Sequence, residues 1–154
     1  MKSLGLPYSF FTEEARLDGC LISEAAARHN VIHIGLEIEG GNIINHDLLK
    51  QVESGIVETL STLGVLSSMV NNSRTTEFID VKNIYSHDDG FFVPMVRLNE
   101  RVKENQIAAK IFNINIPWDE PKQIYFDRSG LVLSIRSICL THRGDCIFQL
   151  GSKN

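Results

Sequence analysis

Residues 31–64 read VIHIGLEIEGGNIINHDLLKQVESGIVETLSTLG, and two periods meet in this stretch. Over residues 31–39 the side chains alternate. Val31, His33, Gly35, Glu37 and Glu39 fall on one face, and Ile32, Ile34, Leu36 and Ile38 on the other, which is the pattern of a half-buried strand. Gly40 and Gly41 end it. Asn45 and Asp47 then open a helix whose apolar stripe is Leu48, Leu49, Val52, Ile56, Leu60 and Leu63, with Gly64 as its stop. A strand followed by a long helix places that helix across one face of a sheet.

Outward from this stretch the chain changes character. Upstream, Pro7 precedes Tyr8, Phe10 and Phe11, and Thr12-Glu13-Glu14 suits a helix N-terminus and its dipole, with Gly19 interrupting. A second short helix is expected over residues 23–27, with Asn30 in the left-handed stop position. Downstream the sequence is β-rich. Runs at residues 65–70, 75–85 and 91–98 are separated by turns at Asn71-Asn72-Ser73 and His87-Asp88-Asp89-Gly90. Residues 98–111 suit helix or strand. Pro117 and Pro121 bracket a loop around Trp118, residues 123–126 and 131–140 read as a hairpin about the Asp127–Gly130 turn, and a last strand covers residues 146–150. Strands in series with one strong helix and no βαβ rhythm imply an α+β fold with a largely antiparallel sheet and a long helix on one face. One domain over residues 1–154 is expected.

Composition narrows the function. The chain has 154 residues, 43% of them hydrophobic and 22% charged, and a formal charge of −4. Those are globular values, and the acidic balance argues against nucleic-acid binding; the nearest basic cluster is only Arg97, Arg101 and Lys103. No apolar run is long enough to span a bilayer, and the opening MKSLGLPYSFFTEEAR does not read as a signal peptide, so a cytoplasmic location with no membrane contact is expected. Cys20, Cys139 and Cys146 form no CxxC pair and read as buried or half-buried thiols, although Cys139 and Cys146 could be neighbours across a hairpin.

Few motifs carry chemistry. His29, His33, Glu37 and Glu39 are the most suggestive group, because imidazole and carboxylates bind metals or move protons. Alternate strand residues stand about 7 Å apart, so a metal would need ligands from elsewhere, and the plainer reading is a solvated strand face with no metal. The sequence holds no GxSxG elbow, Walker loop or GxGxxG fingerprint, and no cofactor is expected. Arg143-Gly144-Asp145 reads as a tight turn.

From Ile107 onward the chain resembles the end of a UTRA domain, the effector-binding module of GntR-type repressors, which has the chorismate-lyase fold. The residues that carry the resemblance are Ala108, Ala109, Ile111 and Ile114, then Pro121, Ile124, Tyr125, Asp127, Gly130 and Leu133, and then His142-Arg143-Gly144-Asp145 with Phe148. The opening Ser9-Phe10-Phe11-Thr12-Glu13-Glu14 with Gly19 is similar to that family's opening segment. No winged helix accompanies these stretches. The resemblance implies a sensor or binding domain for a small anionic metabolite, the effector-binding part of a transcriptional regulator. Ser9 and Thr12 would bind the anion at the start of the first helix, with Arg97 and Arg136 as charge partners. The plain alternative makes Ser9 and Thr12 caps and the arginines surface residues. Two other functions stay open: a lyase-like enzyme on the same fold, weakened because residues 131–140 offer Arg136 and no acid, and a non-catalytic interaction subunit. Exposed sheet edges further imply a homodimer.

Overall fold

The computed structural model describes residues 2–10, 21–38, 45–67 and 76–152. The chain divides into two compact units, Met1–Phe78 and Ile79–Asn154. With antiparallel sheets and few helices it belongs to the α+β class.

The first unit holds a 3-10 turn at Lys2–Leu4, strand β1 (Tyr8–Ser9), helix α1 (Ile22–Arg28), helix α2 (His46–Thr62) and strand β2 (Glu77–Phe78). Strands β1 and β2 pair in parallel, Tyr8 beside Glu77 and Ser9 beside Phe78. Both helices stop where their sequences say they should. After α1, Asn30 adopts φ 54°, and the N–H groups of Asn30 and Val31 donate to the carbonyls of Ala27 and Ala26. After α2, Gly64 adopts φ 73°, and the N–H groups of Gly64 and Val65 donate to those of Ser61 and Leu60. This double bond pattern closes the last turn of each helix. At the other end of α2 the Asn45 side chain accepts from the N–H groups of Asp47 (2.9 Å) and Leu48 (3.2 Å), as an N-cap does.

Helix α2 packs against the Lys2–Leu4 turn. Its Gly55 comes so close that an added Cβ would collide with the Leu4 carbonyl oxygen, and Ser3 and Thr59 share a hydroxyl hydrogen bond of 3.1 Å. The alternation over residues 31–38 does not produce a paired strand. These residues carry no regular secondary structure, and Val31, Ile32, His33, Glu37 and Ile38 are exposed. An alternating sequence makes a strand only when a neighbour takes up its backbone groups. Residues 65–67, expected as the start of a β-run, likewise form no strand. The readings placed on Thr12-Glu13-Glu14, Gly19, Cys20 and Glu39 fall outside the described residues.

The second unit is built from eight strands: β3 (Asp80–Tyr85), β4 (Gly90–Pro94), β5 (Arg101–Val102), β6 (Ile107–Phe112), β7 (Lys122–Tyr125), β8 (Gly130–Ile135), β9 (Leu140–Thr141) and β10 (Cys146–Ser152). They form two antiparallel four-stranded sheets, in the orders β3-β10-β8-β5 and β7-β6-β4-β9. The hairpin expected of β7 and β8 does not form. The turn at residues 127–130 exists, but β7 pairs with β6 and β8 pairs with β10 and β5, so the turn carries the chain from one sheet to the other. Residues 98–111, ambiguous by pattern, become β5 and β6.

The core lies between the sheets. Phe148 of β10 meets Phe92 of β4 edge-on at 5.6 Å between ring centroids, and Phe126 at 5.4 Å. Such geometry sets the positive ring edge against the negative face. Ala108, Ala109, Ile111, Ile124, Val132, Ile147 and Leu150 fill the space around them. Gly90 lets β4 approach β6 closely, since a Cβ there would strike the Phe112 carbonyl oxygen.

Candidate functional site

The densest group of charges among the described residues lies where two turns of the second unit meet. One turn covers residues 86–89 and the other residues 142–145, and backbone bonds tie them together: Ser86 N–H to the Asp145 carbonyl and Gly144 N–H to the Ser86 carbonyl, both 2.8 Å. Gly144, at φ 91°, makes the second turn possible. Arg143-Gly144-Asp145 is therefore a tight turn, as its sequence suggested.

Three carboxylates anchor this cluster. Asp145 Oδ2 accepts from the His142 N–H at 2.8 Å and from Thr141 Oγ1 at 3.4 Å, and pairs with Arg136 Nη2 at 2.9 Å. The His142 N–H chiefly holds the Asp145 carboxyl below the usual carboxylate range; partial desolvation opposes this, and Arg136 and Thr141 reinforce it. Asp89 accepts from the Arg143 N–H at 2.9 Å and lies 3.3 Å from His142 Nδ1. That N–H is the main reason its carboxyl is also lowered, with His142 assisting. Asp88 pairs with Lys122 and, at 3.9 Å, with Arg143.

The residues expected to hold an anion are dispersed. Arg136 follows β8, half-buried, with its charge taken up by Asp145 and a further long contact of 3.5 Å to the Leu140 carbonyl. Its Nε is buried without a partner. The acid missing from residues 131–140 thus comes from Asp145, nine positions along and brought back by the turn. Sequence spacing hides such a pair; the one available signal was a carboxylate three residues after His142, placed to accept that residue's N–H. Arg97 lies in the connection between β4 and β5 and is exposed; its N–H donates to the Glu100 carboxylate at 2.9 Å, and its carbonyl accepts from the Glu100 N–H at 3.2 Å. No hydrogen bond or ion pair joins Arg97 to Arg136. Ser9 is half-buried in β1, and Thr12 lies outside the described residues.

His33 and Glu37 are both exposed on segment 31–38, which carries no regular secondary structure, and no hydrogen bond or ion pair between them is found. Among the described residues no group of three or more His, Cys, Asp or Glu side chains is placed to hold a metal ion. Cys139 and Cys146 are free thiols; Cys146 is half-buried as expected, and burial pushes its thiol up, whereas Cys139 is exposed rather than buried. No described helix is long and apolar enough to cross a membrane.

No family model and no curated protein sequence matches the chain. Solved structures do match its fold. A succinylglutamate desuccinylase/aspartoacylase from Rhodobacter sphaeroides superposes over 99% of this chain and 48% of its own, with a TM-score of 0.85 at 17% identity. A succinylglutamate desuccinylase from a Silicibacter species covers 97% of this chain and 46% of its own, with a TM-score of 0.84 at 22% identity. The product-bound ectoine utilization protein EutE from Ruegeria pomeroyi gives the same coverage and TM-score at 21% identity. The chain has the fold found in these proteins and spans about half of their length.

These neighbours overturn the resemblance to a UTRA or chorismate-lyase-like domain, and with it the transcription-regulator reading. The physical reason is visible in the residues that carried it. Asp127, Gly130 and Arg143-Gly144-Asp145 are turn-formers wherever antiparallel strands reverse tightly. Ala108 and Ala109 lie in strand β6, where both are buried.

Proposed function

We propose that the chain is part of a hydrolase that removes acyl groups from amino acids. The observation that carries this reading is the superposition of nearly the whole chain on proteins named succinylglutamate desuccinylase and aspartoacylase, at TM-scores of 0.84 and 0.85. The anionic metabolite expected from the sequence then becomes an N-acyl amino acid. Within the described residues, Glu37 is the carboxylate suited to general-base work on the attacking water. It is exposed and flanked by the apolar Leu36 and Ile38, free to face a substrate and its attacking water.

The test is release of free amine from N-succinylglutamate and N-acetylaspartate by the protein in its native assembly. Release is expected, with Glu37→Gln lowering the rate by about 100-fold or more. No release from either compound, or release that Glu37→Gln leaves intact, contradicts the reading.

A further inference from the structure

The described residues of the first unit include several large aliphatic side chains that are exposed. Ile22, Val31, Ile32, Leu63 and Val65 are 74%, 58%, 89%, 68% and 65% exposed. Residues 31–38 carry no regular secondary structure and join none of the described strand ladders. Of their backbone groups, the Val31 N–H is taken by the α1 stop at Ala26. Ile32, Ile34, Leu36 and Ile38 make one apolar row, exposed at its two ends and half-buried in its middle. A segment outside the strand ladders whose sequence alternates an aliphatic row is a template for another strand, and folded proteins cover or blunt such edges. Nothing blunts this one: it contains no Pro and no Lys, and its charged residue, Glu37, alternates out of the aliphatic row.

Helix α2 shows the same deficit independently. Leu49, Ile56 and Leu63 recur every seven residues and so share a face to within about 20° per repeat. They are 39%, 43% and 68% exposed, while the adjoining positions Val52 and Gly55 are buried. The helix carries a wider apolar stripe than the Lys2–Leu4 turn covers.

We infer that residues 31–38 are a docking strand for a polypeptide sheet edge with an apolar face, supplied by the equivalent of the part of the neighbours' chains that this chain does not span. The argument for this occupant is length. Proteins that superpose on both units carry about as much chain again outside the match, since the match takes up only 46–48% of them. Main-chain bonds along residues 31–38 would give affinity, and the Ile32–Ile34–Leu36–Ile38 row would fix register, because a slip of one residue turns that row to the other face. The inference uses no chemistry of the reaction and stands or falls apart from the hydrolase reading.

The probe is the part of the Ruegeria pomeroyi EutE chain outside the match, expressed separately and also joined to this chain by a flexible Gly/Ser linker. The linker raises the effective concentration to about the millimolar range. Amide hydrogen exchange is followed at residues 31–38. In the chain alone these amides are expected to exchange at unstructured rates at every protein concentration. In the linked protein, alternate amides are expected to slow by about 100-fold, and Ile32→Asp is expected to return them to the fast rate. Unchanged exchange in the linked protein overturns the inference. So does protection in the chain alone: if independent of concentration, the segment is covered from within, and if it grows with concentration, the occupant is a second copy.

Discussion

The two units are nearly equal in length and opposite in closure. Among the described residues, fifteen of the seventeen fully buried hydrophobic side chains lie in Ile79–Asn154, and Leu4 and Val52 are the two in Met1–Phe78. The second unit surrounds Phe92, Phe126 and Phe148 with two sheets. The first forms helices with closed C-terminal turns, and among its described residues Leu4 and Val52 are the buried hydrophobic side chains. Ordering each residue costs about 1–2 kcal/mol of chain entropy, which burial must offset, so correct local structure does not by itself make a unit stable. Caps and stops specify helices; closure needs surface to bury.

The largest expected effect tests the closed half. Phe148→Ala removes the ring that two others meet edge-on, and should cost about 3–5 kcal/mol in denaturant unfolding followed at the second unit. A loss under 1 kcal/mol would mean that this core is not what holds the sheets. Next is Gly90→Ala. The added Cβ meets the Phe112 backbone rather than a movable side chain, and about 1–3 kcal/mol should be lost. A neutral result would show that β4 and β6 can separate freely. Asn45→Ala in the open half should cost about 1 kcal/mol, seen as loss of α2 helicity by circular dichroism with the second unit's unfolding unmoved.

Acid sharpens the contrast further, because the charge cluster belongs to the closed half. The folded state holds Asp145 and Asp89 below their ordinary value, so their contribution is present above the unfolded carboxylate pKa and is lost as pH falls through the lowered folded one. Asp145→Asn should therefore flatten the acid limb of the second unit's stability curve; an unchanged limb would remove Asp145 from the account. The smallest effect is expected at the most exposed aliphatic residue among the described ones, Ile32, 89% exposed. Ile32→Asp should change the stability of the chain alone by no more than about 0.5 kcal/mol. A loss above 2 kcal/mol would show that Ile32 is buried in solution.

What the sequence made legible follows the same division between local and long-range. Asn45, Gly64 and Asn30 marked the helix ends because caps depend only on neighbouring residues. The turns at residues 87–90 and 127–130 were readable for the same reason. Strand partners were not. β7 and β8 look like a hairpin, yet each finds its partners elsewhere, because pairing is decided by which faces can be buried together. The Arg136–Asp145 pair escaped notice because a turn, not a spacing, brings it together. Residues 31–38 alternate as a strand should and find no partner among the described strands. The UTRA resemblance failed where it relied on turn residues, which report tight reversals without saying which strands they join.

The most direct test of this contrast compares two stretches of the same molecule by native-state hydrogen exchange. The amides of Ile147, Phe148 and Leu150 in β10 should exchange only through global opening of the second unit, while those of residues 32–38 should exchange at rates close to an unstructured chain. Equal protection of the two stretches in the dilute, isolated chain would contradict the account.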